Sequence, residues 1–201
     1  MSVAKSILSF WFEFSSTYSY LSVGRIKSVC EKEGIEFEWK PFLLGPIFKE
    51  QGMSDSPFNI YPAKGKYMWR DIERKTEKYG LPFRKPDIFP RNGLKAARIT
   101  TAFLDQPWIE TFILEIYKLE FSQNVDISDK TALSDLLNSL GQNAEEVLLL
   151  SESTENKELL RKNTEEASKL GIFGAPSFIA NGELFWGDDR LEDAIEFLKR
   201  V

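Results

Sequence analysis

Ser15 and Ser16 stand where a run of large apolar residues, Phe10 to Phe14 with Glu13 inside it, gives way to "STYSYL". A hydroxyl at such a junction has three uses. It can cap the helix that begins there by accepting a hydrogen bond from a first-turn amide. It can be a nucleophile if a base removes its proton. It can also donate to an anion or thiolate beside the positive end of the helix. The chain has no histidine, so a Ser-His-Asp mechanism is excluded, and no serine–lysine pair is evident. Donation to another molecule's thiolate is the sharper expectation for Ser16, and it is compatible with capping.

Three other groups could meet a ligand. Pro176 in "FGAPSF" directly precedes a strand pattern, a place suited to a cis X-Pro bond. Such a bond leaves the Ala175 N–H and C=O to pair with an extended peptide. In "WGDDRL", Asp188 and Asp189 open the last helix, where either can cap it and a carboxylate can receive an ammonium group. Lys64 and Lys66, near Arg70, are either solvated cations or partners for a ligand carboxylate. Cys30 reads as a core residue on a helix face. No metal-ligand cluster or phosphate-cradling glycine loop stands out.

The elements that must position these groups follow from periodicity. Residues 6–14 alternate, with Leu8, Phe10, Phe12 and Phe14 on one face, which predicts a strand. A helix is expected from Tyr18 to Glu33, stopped by Gly34, and a second strand over 35–40. From Gly45 to Pro62 the composition predicts a long ordered loop. Helices follow over 66–79, 94–105, 107–121, 129–139, 143–151 and 155–170, the stripe Trp108, Phe112, Ile116 and Leu119 marking one of them. Asn181-Gly182 between Ser177–Ala180 and Glu183–Trp186 predicts a tight hairpin, and a last helix covers 189–200. The fold class is therefore α/β, with the order β-α-β, helices, α-β-β-α. That is a thioredoxin-like sheet domain, residues 1–45 and 155–201, with an all-helical domain inserted over 46–154.

Bulk properties narrow the function. The 201 residues suit one domain with an insertion. A net charge of −5 gives no general attraction to nucleic acid or to anionic membranes. No run reaches the ~18 apolar residues of a membrane span, and Glu13 interrupts what would be a signal sequence. The single cysteine excludes an internal disulfide and Cys-x-x-Cys chemistry. Together these point to a cytoplasmic, reducing compartment.

"FEFSSTYSYL", "PFLLGPIF", "SPFNIYPAKGKYMWRDIER", "GIFGAPSF" and "FWGDDRL", in this order and across nearly the whole chain, resemble the 2-hydroxychromene-2-carboxylate isomerase family, in the kappa-class glutathione transferase group. The resemblance implies a homodimer that binds glutathione between its two domains and acts on a small aromatic substrate in aromatic catabolism. It implies that Ser16 lies at the glutathione sulfur and that Ala175 pairs with the tripeptide backbone. Asp188 and Asp189 would take the γ-glutamyl end, and Lys64 a glutathione carboxylate. The cysteine missing from the corner would then arrive with the ligand. An asparagine common at the start of the long loop is absent; Gly52-Met53-Ser54-Asp55 stands there, with Asn59 as a substitute. Thr17 stands where proline is common. The readings kept open are an isomerase, a kappa-like transferase and a non-catalytic peptide-binding module.

Overall fold

The computed structural model describes residues 7–200. β1 (Ile7–Phe12) leads into α1 (Thr17–Val23) and α2 (Ile26–Glu33), and β2 (Glu36–Pro41) pairs with β1 in parallel. The chain then runs through α3 (Leu44–Glu50), α4 (Pro57–Ile60), α5 (Pro62–Tyr79), α6 (Leu94–Ala102), α7 (Ile109–Phe121), α8 (Lys130–Ser139), α9 (Ala144–Ser151) and α10 (Thr154–Lys169). It returns as the antiparallel pair β3 (Ser177–Ala180) and β4 (Glu183–Trp186), followed by a 3-10 turn at Asp188–Arg190 and α11 (Leu191–Leu198). The sheet order is β2-β1-β3-β4, so β1 sits inside, between its parallel neighbour and β3. This is the α/β arrangement expected from the sequence, a four-stranded sheet interrupted by helices.

The alternation of β1 explains why it is central. Leu8, Phe10, Phe12 and Phe14 are fully buried in the main core, and Phe10 stacks on Phe178 of β3 with ring centroids 5.2 Å apart. On the opposite face Trp11 is buried as well, in a second cluster with Phe42, Ile47, Ala167 and Ile172. Both faces of the sheet are therefore covered, and burial of several aromatic rings, worth roughly 2–3 kcal/mol each, anchors the strand that ends at Ser16. Asn181 and Gly182 both adopt positive φ, 49° and 83°, which gives the tight hairpin between β3 and β4.

Two expectations are corrected. The helix expected over 18–33 is broken into α1 and α2 at Gly24–Arg25. A Cβ at Gly24 would lie 2.7 Å from a methyl of Leu81, and Arg25 leaves helical geometry while its guanidinium reaches Asp188 and Glu192. Tertiary contacts thus override local propensity. The segment 45–62, expected as loop, contains α3 and α4 and the start of α5. Its prolines are helix starters, since Pro57 and Pro62 occupy first-turn positions where no N–H is needed. Among the described residues no helix is long and apolar enough to cross a membrane.

Candidate active site

Ser16 is in extended backbone geometry at the N-cap of α1. Its Oγ accepts from the Ser19 N–H at 3.2 Å and donates to the Ala175 carbonyl at 2.9 Å. Capping and cross-chain bonding therefore coexist in one hydroxyl. The Ala175-Pro176 bond is cis, as the sequence led us to expect, and so is Phe89-Pro90, which it did not reveal. The Ala175 N–H donates to no acceptor among the described residues, while Ala175 keeps partial exposure.

From this pair the site extends in two directions. The Gly187 N–H donates to the Pro176 carbonyl at 3.0 Å, which fastens the Asp188–Arg190 turn against the Ala175 loop. Gly187 has φ 111°, a conformation that favours glycine, and a Cβ there would sit 2.7 Å from an Asp189 carboxylate oxygen. On the other side, the Thr17 hydroxyl donates to the Met68 sulfur at 3.1 Å and the Tyr18 hydroxyl to Asp71 at 3.1 Å. These contacts tie the entry of α1 to α5, which carries Lys64. Gly65 lets α5 approach α4, because a Cβ there would be 2.2 Å from the Phe58 carbonyl oxygen.

The two aspartates differ sharply. Asp188 is 1% exposed, and its carboxylate accepts from Ser22 Oγ at 3.0 Å, Arg25 Nε at 3.0 Å and Tyr79 OH at 3.1 Å. Lys75 Nζ lies 3.8 Å away. Asp188 therefore joins α1, α2, α5 and the last helix in a buried ion cluster, and its oxygens are already occupied. The Asp189 side chain is 60% exposed, with Arg190 beside it at 3.4 Å and its charge felt by Tyr18. Lys64 rests over the Tyr61 ring at 4.8 Å and pairs with no carboxylate among the described residues. Asn59 is engaged, donating to Asp55 at 3.0 Å and to the Phe89 carbonyl at 3.1 Å.

Titration behaviour singles out groups that the sequence reading passed over. Burial pushes the Glu13 carboxyl up to about 8, against the pull of its hydrogen bond from Ser15. Burial, and then the nearby Glu13 charge, push Glu120 up to about 9. Burial raises Tyr18 and Tyr117 as well, with Asp71 adding to the first and Glu13 to the second. Cys30 is buried, and its thiol is raised to about 11 by that burial, which suits a core residue. Glu120 was legible: it lies four residues after Ile116 and three after Tyr117, on the buried stripe of α7. Among the described residues no group of three or more His, Cys, Asp or Glu could hold a metal ion.

The model of the DSBA-like thioredoxin domain matches residues 7–199. The chain belongs to that family. Within the DSBA-like family it is 28% identical to 2-hydroxychromene-2-carboxylate isomerase of Sphingobium xenophagum, over 92% of this chain and 94% of that protein. It is 27% identical to glutathione S-transferase kappa 2 of Caenorhabditis elegans, over 96% and 92%. A solved structure of a 2-hydroxychromene-2-carboxylate isomerase superposes with a TM-score of 0.82 over 96% of each chain, at 21% identity. That likeness supports the fold.

Proposed function

We propose that this chain binds glutathione and isomerises 2-hydroxychromene-2-carboxylate-type aromatic 2-oxo acids. The observation that carries the reading is the Ser16 hydroxyl, held between the entry of α1 and the Ala175 carbonyl. Supporting it are an Ala175 N–H and a Lys64 ammonium that have no hydrogen-bond or carboxylate partner among the described residues, and an exposed carboxylate at Asp189. These groups complement, in turn, the thiol, peptide, ammonium and carboxylate functions of glutathione. The name of the transferase relative fits the same ligand, and that of the isomerase relative the substrate.

Bound there, glutathione would supply a thiolate that adds reversibly to the conjugated acid, so that the ring opens, a bond rotates and the thiol leaves unchanged. The protein's part is to hold that sulfur ionised. A free thiol has a pKa near 8.5, and lowering it by about two units takes about 2.7 kcal/mol. A single charge-assisted hydrogen bond contributes about 1.5–3 kcal/mol. Ser16 can provide it by turning its O–H from Ala175 to the sulfur, while its oxygen keeps the Ser19 N–H. That turn releases the Ala175 carbonyl, so both main-chain groups of Ala175 become available to the tripeptide. Asp188 holds the loop from behind, and Asp189 meets the γ-glutamyl ammonium. We place the ligand between the sheet domain and the inserted helices, with a homodimer as the working assembly.

A kappa-like transferase is the second reading, favoured by the relative of that name. Product analysis separates the two. With a chromene carboxylate, the isomerase returns all glutathione as free thiol; with an electrophilic aryl halide, a transferase keeps it in the product. Turnover of the halide alone would replace the isomerase reading.

A further inference from the structure

Two carboxyl groups lie behind the turn that carries Ser16, and the chemistry above uses neither. Glu13 holds that turn on several sides. Its carboxylate accepts from the Ser15 N–H at 3.0 Å, and its carbonyl accepts from the Ser16 N–H at 3.0 Å and from Tyr117 OH at 2.8 Å. Gly93 closes over the group, since a Cβ there would stand 3.3 Å from Glu13 Oε1 and 2.9 Å from the Phe14 Cβ. Glu120 is fully buried, and neither of its carboxyl oxygens has a hydrogen-bond partner among the described residues. The Ser19 hydroxyl and Arg91 Nε are orphaned in the same way.

The groups that act on this cluster come from four segments. Glu13 is at the end of β1, Tyr117 and Glu120 are on α7, Arg91 precedes α6, and Asp126 follows α7. α1 adds only hydroxyls. Among the described residues Arg91 is the one cation acting on Glu120; its backbone also draws that acid down slightly, while its terminal nitrogens are spent on the Val125 and Asn124 carbonyls and the Asn124 side chain. An ionised pair here has little to balance it.

We propose that Glu13 is a positioning residue for the glutathione sulfur, an inference that rests on the glutathione reading above. Uncharged, its carboxyl group fixes the turn that presents the Ser16 hydroxyl. Charged, it opposes a thiolate at that hydroxyl. Desolvation supports the assignment: Glu120 is fully buried and Glu13 half-buried, and Glu13, pushed up only to about 8, ionises first. A like charge close to a thiolate raises the thiol pKa. Glutathione binding therefore weakens as pH climbs past 8, beyond what the ligand's own titration accounts for.

The test is the dissociation constant of glutathione, by calorimetry, between pH 6.5 and 9.5. Wild type is compared with Glu13→Gln, which keeps the acceptor for Ser15, with Glu13→Asp, which keeps the charge, and with Glu120→Gln. The ratio of wild-type to Glu13→Gln constants is expected to rise about tenfold across the range, equivalent to one pKa unit of coupling. Glu13→Asp and Glu120→Gln should track wild type. S-methylglutathione, with no ionisable sulfur, should give a flat ratio. A flat ratio with glutathione overturns the proposal. So does an equal rise with S-methylglutathione, which would mean that Glu13 acts on the turn and not on the sulfur's charge. Absence of binding by wild type to either ligand overturns the glutathione reading itself, and this proposal with it.

Discussion

The hydroxyl of Ser16 and the carbonyl of Ala175 are 2.9 Å apart, although 159 positions separate them in the chain. One bond thus joins the end of the first strand to the loop before the third. The serine side chain that caps α1 is also the one that reaches across the site.

Ser16→Ala separates those roles. Loss of the cap costs about 1 kcal/mol of stability, read from chemical denaturation. Loss of the donor costs about 10²-fold in turnover and returns the bound thiol toward its free pKa, read by thiolate absorbance from pH 5 to 9. A variant with the stability loss but an unmoved thiol pKa would leave Ser16 as a cap only.

The two adjacent aspartates should behave as opposites. Asp188→Asn strips the buried partner of Arg25 and is expected to cost about 3 kcal/mol in stability. Asp189→Asn should leave the melting temperature within a degree or two and weaken glutathione several-fold. A reversed pattern would exchange their roles.

Lys64→Ala is expected to weaken glutathione about fivefold, in keeping with an exposed charge pair. Glutathione esterified at its glycine carboxylate should bind variant and wild type alike. If the ester still discriminates, Lys64 does not meet that carboxylate.

Glu120 makes stability depend on pH. Its folded pKa of about 9 stands above the ordinary 4.5, so the folded protein keeps a proton that the unfolded chain releases between those values. Stability is therefore fully present below 4.5 and falls as pH rises, by about 1.4 kcal/mol per pH unit for this group. Glu13 adds the same slope from 4.5 to about 8. Between pH 5.5 and 7.5, Glu120→Gln should lose about 3 kcal/mol less than wild type in urea unfolding. Equal losses would mean that the buried carboxyl ionises with no penalty.

Much of this architecture was legible because it rests on strict local patterns. The alternation of Leu8, Phe10 and Phe12 and the Asn181-Gly182 turn each have few competing readings. The break at Gly24–Arg25 was not legible, because its cause is Leu81 and Asp188, far away in sequence. The roles proposed for Ser16, Ala175, Lys64 and Asp189 rest on short motifs. The different surroundings of Asp188 could not be read there, since Tyr79 and Ser22 arrive from other elements. Glu13 looked like the outward face of a strand. It is half-buried because Gly93 and Tyr117, distant in sequence, pack against it.

The pairing of β1 with β3, Phe10 opposite Phe178, also bears on how the molecule is made. A ribosome has emitted the first strand, the serine and every helix through α10 before the partner strand exists. Closing so long a loop is slow relative to forming the helices between. A nascent chain that has not reached the third strand carries Ser16 without the Ala175 carbonyl that bonds its hydroxyl. The Ser16–Ala175 bond and the Asp188 ion cluster thus form only after α10 has been made, and a fragment that stops short of them lacks both.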